Sequence, residues 1–306
     1  MGKQTASSMA ADVTGTIAQC RTKHDDLGSL TDESFPMYTA MITAHLRAME
    51  ASRPDAIVVD PFAKELAGDA GLELFALTNK WSAQPDPTTM LAVRTRSLDE
   101  ALAQRDPKIQ QIVILAAGLD TRAYRLETLK KCHVLEVDMC RDVLERKQKI
   151  MREANAPLMA KQVDYIVADL TNDFWQTQLI EKGFNPKAPT FWCLEGLLYY
   201  LTRDSIVKVI KTIDALSAPT SVMWLDMCGH AFVNEAAGTL VHLRYGENDP
   251  LHGVLSLIDW DLELLTKLGE PGTLYGREWQ PMTVSNTNEP ILWFFVRGTK
   301  PHRDTS

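Results

Sequence analysis

The stretch IVILAAGLDTRAYRL at residues 112–126 decides the fold of this chain. It begins with six apolar residues, 112–117, a run that suits one strand buried on both faces and is far too short to span a membrane. Gly118 follows directly, and because glycine has no side chain it lets the backbone approach a ligand closely. Asp120 and Thr121 come next, and both are favourable helix caps. A buried strand, a glycine turn and a capped helix predict the first unit of a doubly wound nucleotide-binding sheet.

The second predicted strand ends in an acidic residue at an informative distance. Asp138 closes the apolar segment VLEVD and lies 20 residues after Gly118. At this distance a carboxylate on the second strand accepts hydrogen bonds from ribose hydroxyls. Glu136, inside the same strand, is the alternative for this role, although the position at the strand end favours Asp138.

Two more strands end in polar residues. Asp169 and Leu170 follow a third predicted strand at 165–168, and Glu195 follows a fourth at 190–194. The carboxyl ends of parallel strands meet at one edge of the sheet, which is where open sheets bind their ligands. The sequence therefore predicts a ligand site at that edge.

The order of four motifs, AAGLDTRAYRL, EVD, ADL and EGLLYYL, resembles the leucine carboxyl methyltransferase and tetracenomycin-type O-methyltransferase family. Enzymes of this family use S-adenosylmethionine as their cofactor. One departure is Ala116, where the family often has glycine. The resemblance implies an α/β fold with a doubly wound, mostly parallel seven-stranded sheet, a Rossmann-like methyltransferase fold.

The resemblance also implies which residues contact the adenosine side of the cofactor. Gly118 would lie under the methionine portion, and Asp138 would hold the ribose hydroxyls. Asp169 would accept a hydrogen bond from the adenine amino group while the backbone of Leu170 contacts the ring. Of the residues that the resemblance places at the cofactor, only Gly118 and Asp138 are also supported by spacing.

The methionine end and the acceptor side depend on fewer residues. The resemblance implies that Arg94 pairs with the cofactor carboxylate, for which a guanidinium fork is suited, and that Glu195 lies near the amino group. Tyr199 and Tyr200, after the fourth strand, are either core aromatics or face the cofactor; we expect at least one to face it, and Tyr200 is our candidate catalytic residue. A hydroxyl acceptor would benefit from a base, and segment 229–272 contains His230, His242 and His252, of which His230 is our candidate. A carboxylate acceptor is already ionised at neutral pH and needs no base.

The remaining chain predicts a helical section, a regular alternation and an insertion. Residues 1–107 form an N-terminal helical arm and cap, and 108–306 form the methyltransferase domain. Segment 229–272 interrupts the alternation of strands and helices, so we interpret it as a lid insertion. Within and beyond it, 259–268 is predicted as a helix and 291–296 as the last strand, antiparallel at the edge of the sheet.

Composition disfavours several classes of protein and site. The net charge of −8 argues against a nucleic-acid methyltransferase, which would need a basic surface for phosphates. Five cysteines with no CxxC pair are typical of reduced thiols in a cytoplasmic protein, rather than of a metal site or disulfides. The chain shows neither a signal-peptide core nor an apolar run of membrane-spanning length, so we expect no membrane partner.

The favoured function is an S-adenosylmethionine-dependent O-methyltransferase that modifies a hydroxyl or carboxyl of a small molecule, such as a polyketide-like secondary metabolite. A protein C-terminal carboxyl methyltransferase, from the other branch of the family, is one alternative. An NAD-dependent dehydrogenase is another, but GLDTRAY lacks the spaced glycines of GxGxxG. A binding protein without activity is disfavoured by the retained acidic residues and Gly118.

Overall fold

The computed structural model describes residues 35–79, 86–236, 243–284 and 287–302. Residues 1–34 of the predicted N-terminal arm and cap, and His242, lie outside these residues. Among the described helices, none combines the length and the apolar character needed to cross a bilayer.

Seven of the nine described strands form one sheet. The strands are β1 (Gln111–Leu115), β2 (His133–Asp138), β3 (Gln162–Val167), β4 (Thr190–Leu194), β5 (Val222–Cys228), β6 (Asp261–Leu268), β7 (Gly272–Leu274), β8 (Arg277–Trp279) and β9 (Trp293–Thr299). The order in the large sheet is β3-β2-β1-β4-β5-β9-β6, and β7 pairs with β8 in a separate hairpin. The first five strands are parallel, and β9 is antiparallel to both of its neighbours. The predicted seven-stranded, mostly parallel sheet is confirmed.

Eight α-helices are described. They are α1 (Phe35–Ala51), α2 (Ala63–Asn79), α3 (Pro87–Gln104), α4 (Arg122–Arg125), α5 (Arg141–Glu153), α6 (Trp175–Glu181), α7 (Arg203–Leu216) and α8 (His230–Ala236). The start of α3 shows how the local sequence sets a helix end. Asp86 caps it by accepting a hydrogen bond from the backbone N–H of Thr88 at 3.0 Å, and Pro87 occupies the first turn.

The continuous apolar runs of β1 and β4 are explained by burial on both faces of the sheet. Every residue of these two strands is buried. Val113 and Leu115 pack into a core with α6 and α7, whereas Ile112 and Ile114 pack into a second core with α3. Alternate residues of one strand therefore serve two separate layers, as in other doubly wound sheets.

Only part of the helical section before β1 packs as a layer of its own. Helices α1 and α2 pack against each other and against α5 in a third core, which includes Met41, Leu66 and Met151. Helix α3 instead shares the core of the sheet through Val93 and Leu98. The part of the 1–107 section nearest the sheet is thus integrated with it.

Two sequence predictions about the end of the chain are wrong. The predicted helix at 259–268 is the strand β6, from Asp261 to Leu268. A register shift between Leu264 and Thr266 interrupts the alternation of buried and exposed residues, and this bulge hides the two-residue period that identifies a strand. Because β6 occupies the edge of the sheet, β9 lies between β5 and β6 instead of at the edge.

Much of the predicted lid at 229–272 belongs to the body of the protein. Val254 and Leu255 form a buried 3₁₀ turn that packs into the same core as α7. The indole N–H of Trp260 donates a hydrogen bond to Asp214 of α7 at 2.8 Å. These contacts, together with β6, place the second half of the segment in the body of the protein, and the lid itself stays a prediction.

Candidate functional site

A cavity of about 390 Å³ lies at the carboxyl ends of β1 to β4 and is covered by α1. Its volume falls within the range of small-molecule sites, about 300–1,000 Å³. All six residues predicted to bind the cofactor line it, namely Arg94, Gly118, Asp138, Asp169, Leu170 and Glu195. Tyr200 also lines it. The structure therefore brings together residues from four strand ends and from α3.

The turn after β1 has a backbone conformation that favours glycine at two positions. Gly118 has φ of 49° and Ala116 has φ of 52°. This left-handed region is unstrained for glycine and unfavourable for alanine, which explains why the family often has glycine where this chain has Ala116. A Cβ atom at Gly118 would lie 3.4 Å from the Cβ of Ala40, so α1 covers the turn closely.

Asp138 connects the ends of β1 and β2. One carboxylate oxygen accepts a hydrogen bond from the backbone N–H of Gly118 at 2.8 Å, and the other accepts one from the N–H of Cys140 at 2.8 Å. Burial raises the pKa of Asp138, although these two hydrogen bonds oppose the shift. Each oxygen retains further acceptor capacity on the cavity side. The carboxylate is thus held in place without being saturated.

Glu136 does not take the alternative role. It lies two residues before Asp138 in β2 and is fully buried. Its carboxylate forms an ion pair with the fully buried Lys147 of α5. Glu136 is also absent from the cavity wall. The structure therefore supports Asp138 as the residue of β2 that faces the ligand.

The turn after β3 presents a second carboxylate to the cavity. Asp169 accepts hydrogen bonds from the backbone N–H and the hydroxyl of Thr171, both at 2.8 Å. Leu170 is buried between these residues and lines the same wall. This local turn fixes the Asp169 carboxylate at the strand end.

Arg94 reaches the cavity from α3 and is almost fully buried, with 7% of its surface exposed. Its Nε donates to Glu195 at 3.0 Å, and its Nη1 donates to the Tyr199 hydroxyl at 3.1 Å and to Asp226 at 3.4 Å. Within the part of the chain that the structure describes, no hydrogen bond uses Nη2 of Arg94. This donor remains available to a ligand.

Glu195 is held between two guanidinium groups. Its second carboxylate oxygen accepts a hydrogen bond from Nη1 of Arg122 at 2.7 Å. Arg122 is itself buried and paired with Asp99 and Asp120. Burial would raise the pKa of Glu195, but Arg122 and Arg94 outweigh it and the pKa is lowered. Glu195 is therefore an anion at neutral pH.

A further clamp, which the sequence analysis missed, attaches α1 to the turn after β1. Arg47 donates to the backbone carbonyl of Leu119 at 2.7 Å and to Asp60 at 2.9 Å. The same oxygen of Asp60 accepts a hydrogen bond from the hydroxyl of Thr121 at 2.8 Å. The only hint in the sequence is the helical spacing of the residues that line the cavity from α1, which are Pro36, Thr39, Ala40, Thr43 and Arg47.

The two predicted catalytic residues lie in different places. Tyr200 lines the cavity, and burial raises the pKa of its hydroxyl, so it stays protonated at neutral pH. The side chain of His230 is exposed at the start of α8 and is not part of the cavity wall. Arg244, from the same segment as His230, does line the cavity, and its backbone N–H donates to the carbonyl of Tyr199 at 2.7 Å. The structure gives no support to His230 as the base.

These groups fit the parts of S-adenosylmethionine. Asp138 retains acceptors for a ribose diol, Nη2 of Arg94 is a donor for a carboxylate, and the anionic Glu195 suits an ammonium group. Across the described ranges, no three His, Cys, Asp or Glu side chains are grouped so that they could hold a metal ion. The residues present therefore suit the cofactor that the family resemblance implies.

Comparisons with known proteins identify the family of this chain. Residues 40–214 match the family described as leucine carboxyl methyltransferase. A protein of Mycolicibacterium smegmatis named as an S-adenosyl-L-methionine-dependent methyltransferase is 37% identical over 210 residues, which cover 65% of this chain and 70% of that protein. A similarly named protein of Streptomyces coelicolor is 37% identical over 210 residues, 64% of this chain and 68% of its own.

Solved structures show the same fold at much lower sequence identity. A methyltransferase from Thermobifida fusca has a TM-score of 0.54 and 16% identity, covering 86% of this chain and 94% of that structure. A DUF574 family protein from Streptomyces avermitilis has a TM-score of 0.53 and 13% identity, covering 86% and 97%. The names of the sequence relatives agree with the predicted cofactor, and the family resemblance is confirmed. The chain belongs to the leucine carboxyl methyltransferase family.

Proposed function

We propose that this chain is an S-adenosylmethionine-dependent O-methyltransferase that methylates a carboxylate of a small molecule. One observation supports the cofactor most directly. The same cavity is lined by Asp138, whose carboxylate would bind the ribose, and by the Arg94–Glu195 pair. Both lie at the edge of the sheet where this fold binds its ligand.

Each residue of the site would bind a different part of the cofactor. Asp138 would accept hydrogen bonds from the ribose, and Asp169 with Leu170 would contact the adenine. Arg94 would bind the carboxylate of the methionine part, and Glu195 its ammonium. When bound, the cofactor supplies an electrophilic methyl group that needs no further activation by the protein.

The chain then has to align the acceptor oxygen and keep water away. Helix α1 covers the cavity from the side opposite the strand ends, and it is fixed there by the Arg47 clamp. Leu119, Leu170 and Leu197 add apolar surface to the wall. A covered and partly apolar cavity suits a transfer that competes with hydrolysis.

A carboxylate is the favoured acceptor for two reasons. Arg244 lines the cavity and brings a positive charge to this wall, which favours an anionic acceptor. In addition, no described histidine lines the cavity, and the hydroxyl of Tyr200 stays protonated. An acceptor that is already ionised at neutral pH needs no base.

The test is methyl transfer from labelled S-adenosylmethionine to matched carboxylic acids and phenols. Mild alkali releases methanol from a methyl ester but not from a methyl ether, so this treatment identifies the acceptor atom. We expect label in alkali-released methanol with apolar carboxylic acids. Alkali-stable label would assign a hydroxyl acceptor, and label on carboxyl-terminal peptides alone would assign the protein-methylating alternative.

A further inference from the structure

We infer that Asp226 is a positioning residue that fixes Arg94 and the turn at Gly196 for the amino-acid end of the cofactor. Asp226 lies in β5 and has no exposed surface. It is not part of the cavity wall. It can therefore act on a ligand only through the residues it holds. This inference depends on the proposed use of S-adenosylmethionine.

Three N–H groups from three different elements converge on this carboxylate. One oxygen accepts from the backbone N–H of Gly196, in the turn after β4, at 2.6 Å. The other accepts from the indole of Trp293 in β9 at 2.9 Å and from Nη1 of Arg94 in α3 at 3.4 Å. Asp226 thus connects α3, the turn after β4 and β9 behind the cavity.

A carboxylate at this depth needs a reason, because burying a charge is unfavourable unless the charge is paired and hydrogen-bonded. Burial raises the pKa of Asp226, whereas Arg94 and the N–H of Gly196 oppose that shift. An uncharged residue would avoid the free-energy cost of burying a charge, but it would lose the ion pair with Arg94. The arrangement is therefore explained by what Asp226 holds.

The consequence for Arg94 follows from the planar shape of its guanidinium. Nε is held by Glu195, and Nη1 is held by Tyr199 and Asp226. A planar group held at two of its nitrogens cannot rotate, so the direction of the unused Nη2 is set as well. Gly196, with φ of 69°, places Glu195 beside this group. Asp226 therefore adds the charged partner of Nη1, beside the neutral Tyr199 hydroxyl, and holds the turn that follows Glu195.

The test compares two ligands that differ only at that end. S-adenosylhomocysteine carries the amino acid, and methylthioadenosine keeps the adenosine and sulfur without it. In Asp226→Asn, an NH2 group that cannot accept replaces one carboxylate oxygen, so the side chain loses its charge and can no longer accept from both Gly196 and the Trp293–Arg94 pair. We expect the dissociation constant of S-adenosylhomocysteine to rise about tenfold or more, the ratio that ~1.4 kcal/mol represents. Binding of methylthioadenosine should stay within about twofold of the wild type.

A double-mutant cycle with Arg94→Gln tests whether Asp226 acts through Arg94. If it does, Asp226→Asn should add little to the loss already caused by Arg94→Gln. Trp224→Phe is the matched control, because this buried indole lies in the same strand as Asp226 and, among the described residues, its N–H has no hydrogen-bond partner. It should leave the binding of both ligands near the wild-type values.

Equal weakening of both ligands by Asp226→Asn, or additive losses in the cycle, would overturn the inference and leave a merely structural residue. If Asp226→Asn does not fold, Asp226→Thr provides the same comparison, since a β-branched residue suits a strand and its hydroxyl can still accept from Gly196. A wild-type protein that binds neither ligand would instead refute the proposed function.

Discussion

The two walls of the cavity are built differently. At the strand-end wall, buried carboxylates hold the backbone itself: Asp138, on the wall, holds Gly118, and Asp226, behind the wall, holds Gly196. The opposite wall, formed by α1 and Arg244, is attached through side chains and through one backbone hydrogen bond from Arg244 to Tyr199. The first wall is thus determined by the sheet, whereas the second can vary without disturbing it. We assign cofactor binding to the first wall and acceptor choice to the second.

The largest expected effect lies behind the strand-end wall. Glu136→Ala removes the partner of the fully buried Lys147 and leaves an uncompensated charge. We expect the free energy of unfolding to fall by about 3–5 kcal/mol, as measured by urea titration. The fraction that remains folded should still bind S-adenosylhomocysteine with a dissociation constant close to the wild type. A specific loss of binding without a loss of stability would return the ribose role to Glu136.

The next effect is on the wall itself. Asp138→Ala removes charge-assisted hydrogen bonds worth about 1.5–3 kcal/mol. Calorimetry should show a dissociation constant for S-adenosylhomocysteine that is roughly ten- to a hundredfold higher. Because Asp138 also holds Gly118 and Cys140, thermal unfolding should be measured alongside. An unchanged dissociation constant would contradict the role given to this wall.

A substitution on the opposite wall should change the KM for the acceptor and not the binding of the cofactor. Arg244→Met keeps an unbranched stem of similar length to the aliphatic part of arginine and removes the charge. With an apolar carboxylic acid as the acceptor, we expect KM to rise about tenfold while the dissociation constant of S-adenosylhomocysteine is unchanged. The reverse pattern, with weaker cofactor binding and an unchanged KM, would show that the two walls do not divide the work in this way.

The smallest effect is expected for His230, which lies outside both walls. His230→Ala should leave kcat and its pH dependence unchanged, because the exposed side chain does not line the cavity. Loss of the acid-side limb of a pH–rate profile in this variant would restore a base at this position. A hydroxyl acceptor would then become the better proposal.

The sequence predicted the strand-end wall well because each of its signals is local. A buried strand needs an apolar run, and the polar residue after it must lie at the sheet edge, so Asp138, Asp169 and Glu195 could be placed from order alone. The backbone strain at Ala116 was not visible as such, yet the family's preference for glycine there pointed to it.

The second wall and the end of the sheet depend on contacts between distant segments. Nothing near Asp60 in the chain shows that it meets Thr121, 61 positions away. The bulge in β6 removed the period that would have identified a strand, so 259–268 was predicted as a helix. Three histidines in 229–272 suggested a base, but exposure of His230 depends on how that segment packs, which composition does not determine.

The most direct test of the central claim is calorimetric titration of the wild-type protein with S-adenosylhomocysteine and, separately, with NAD. We expect saturable binding of S-adenosylhomocysteine at one site per chain, unchanged by added chelator, and no heat with NAD. Absence of heat with S-adenosylhomocysteine, or saturable binding of NAD in its place, would contradict the assignment of the cavity to a methyl-transfer cofactor.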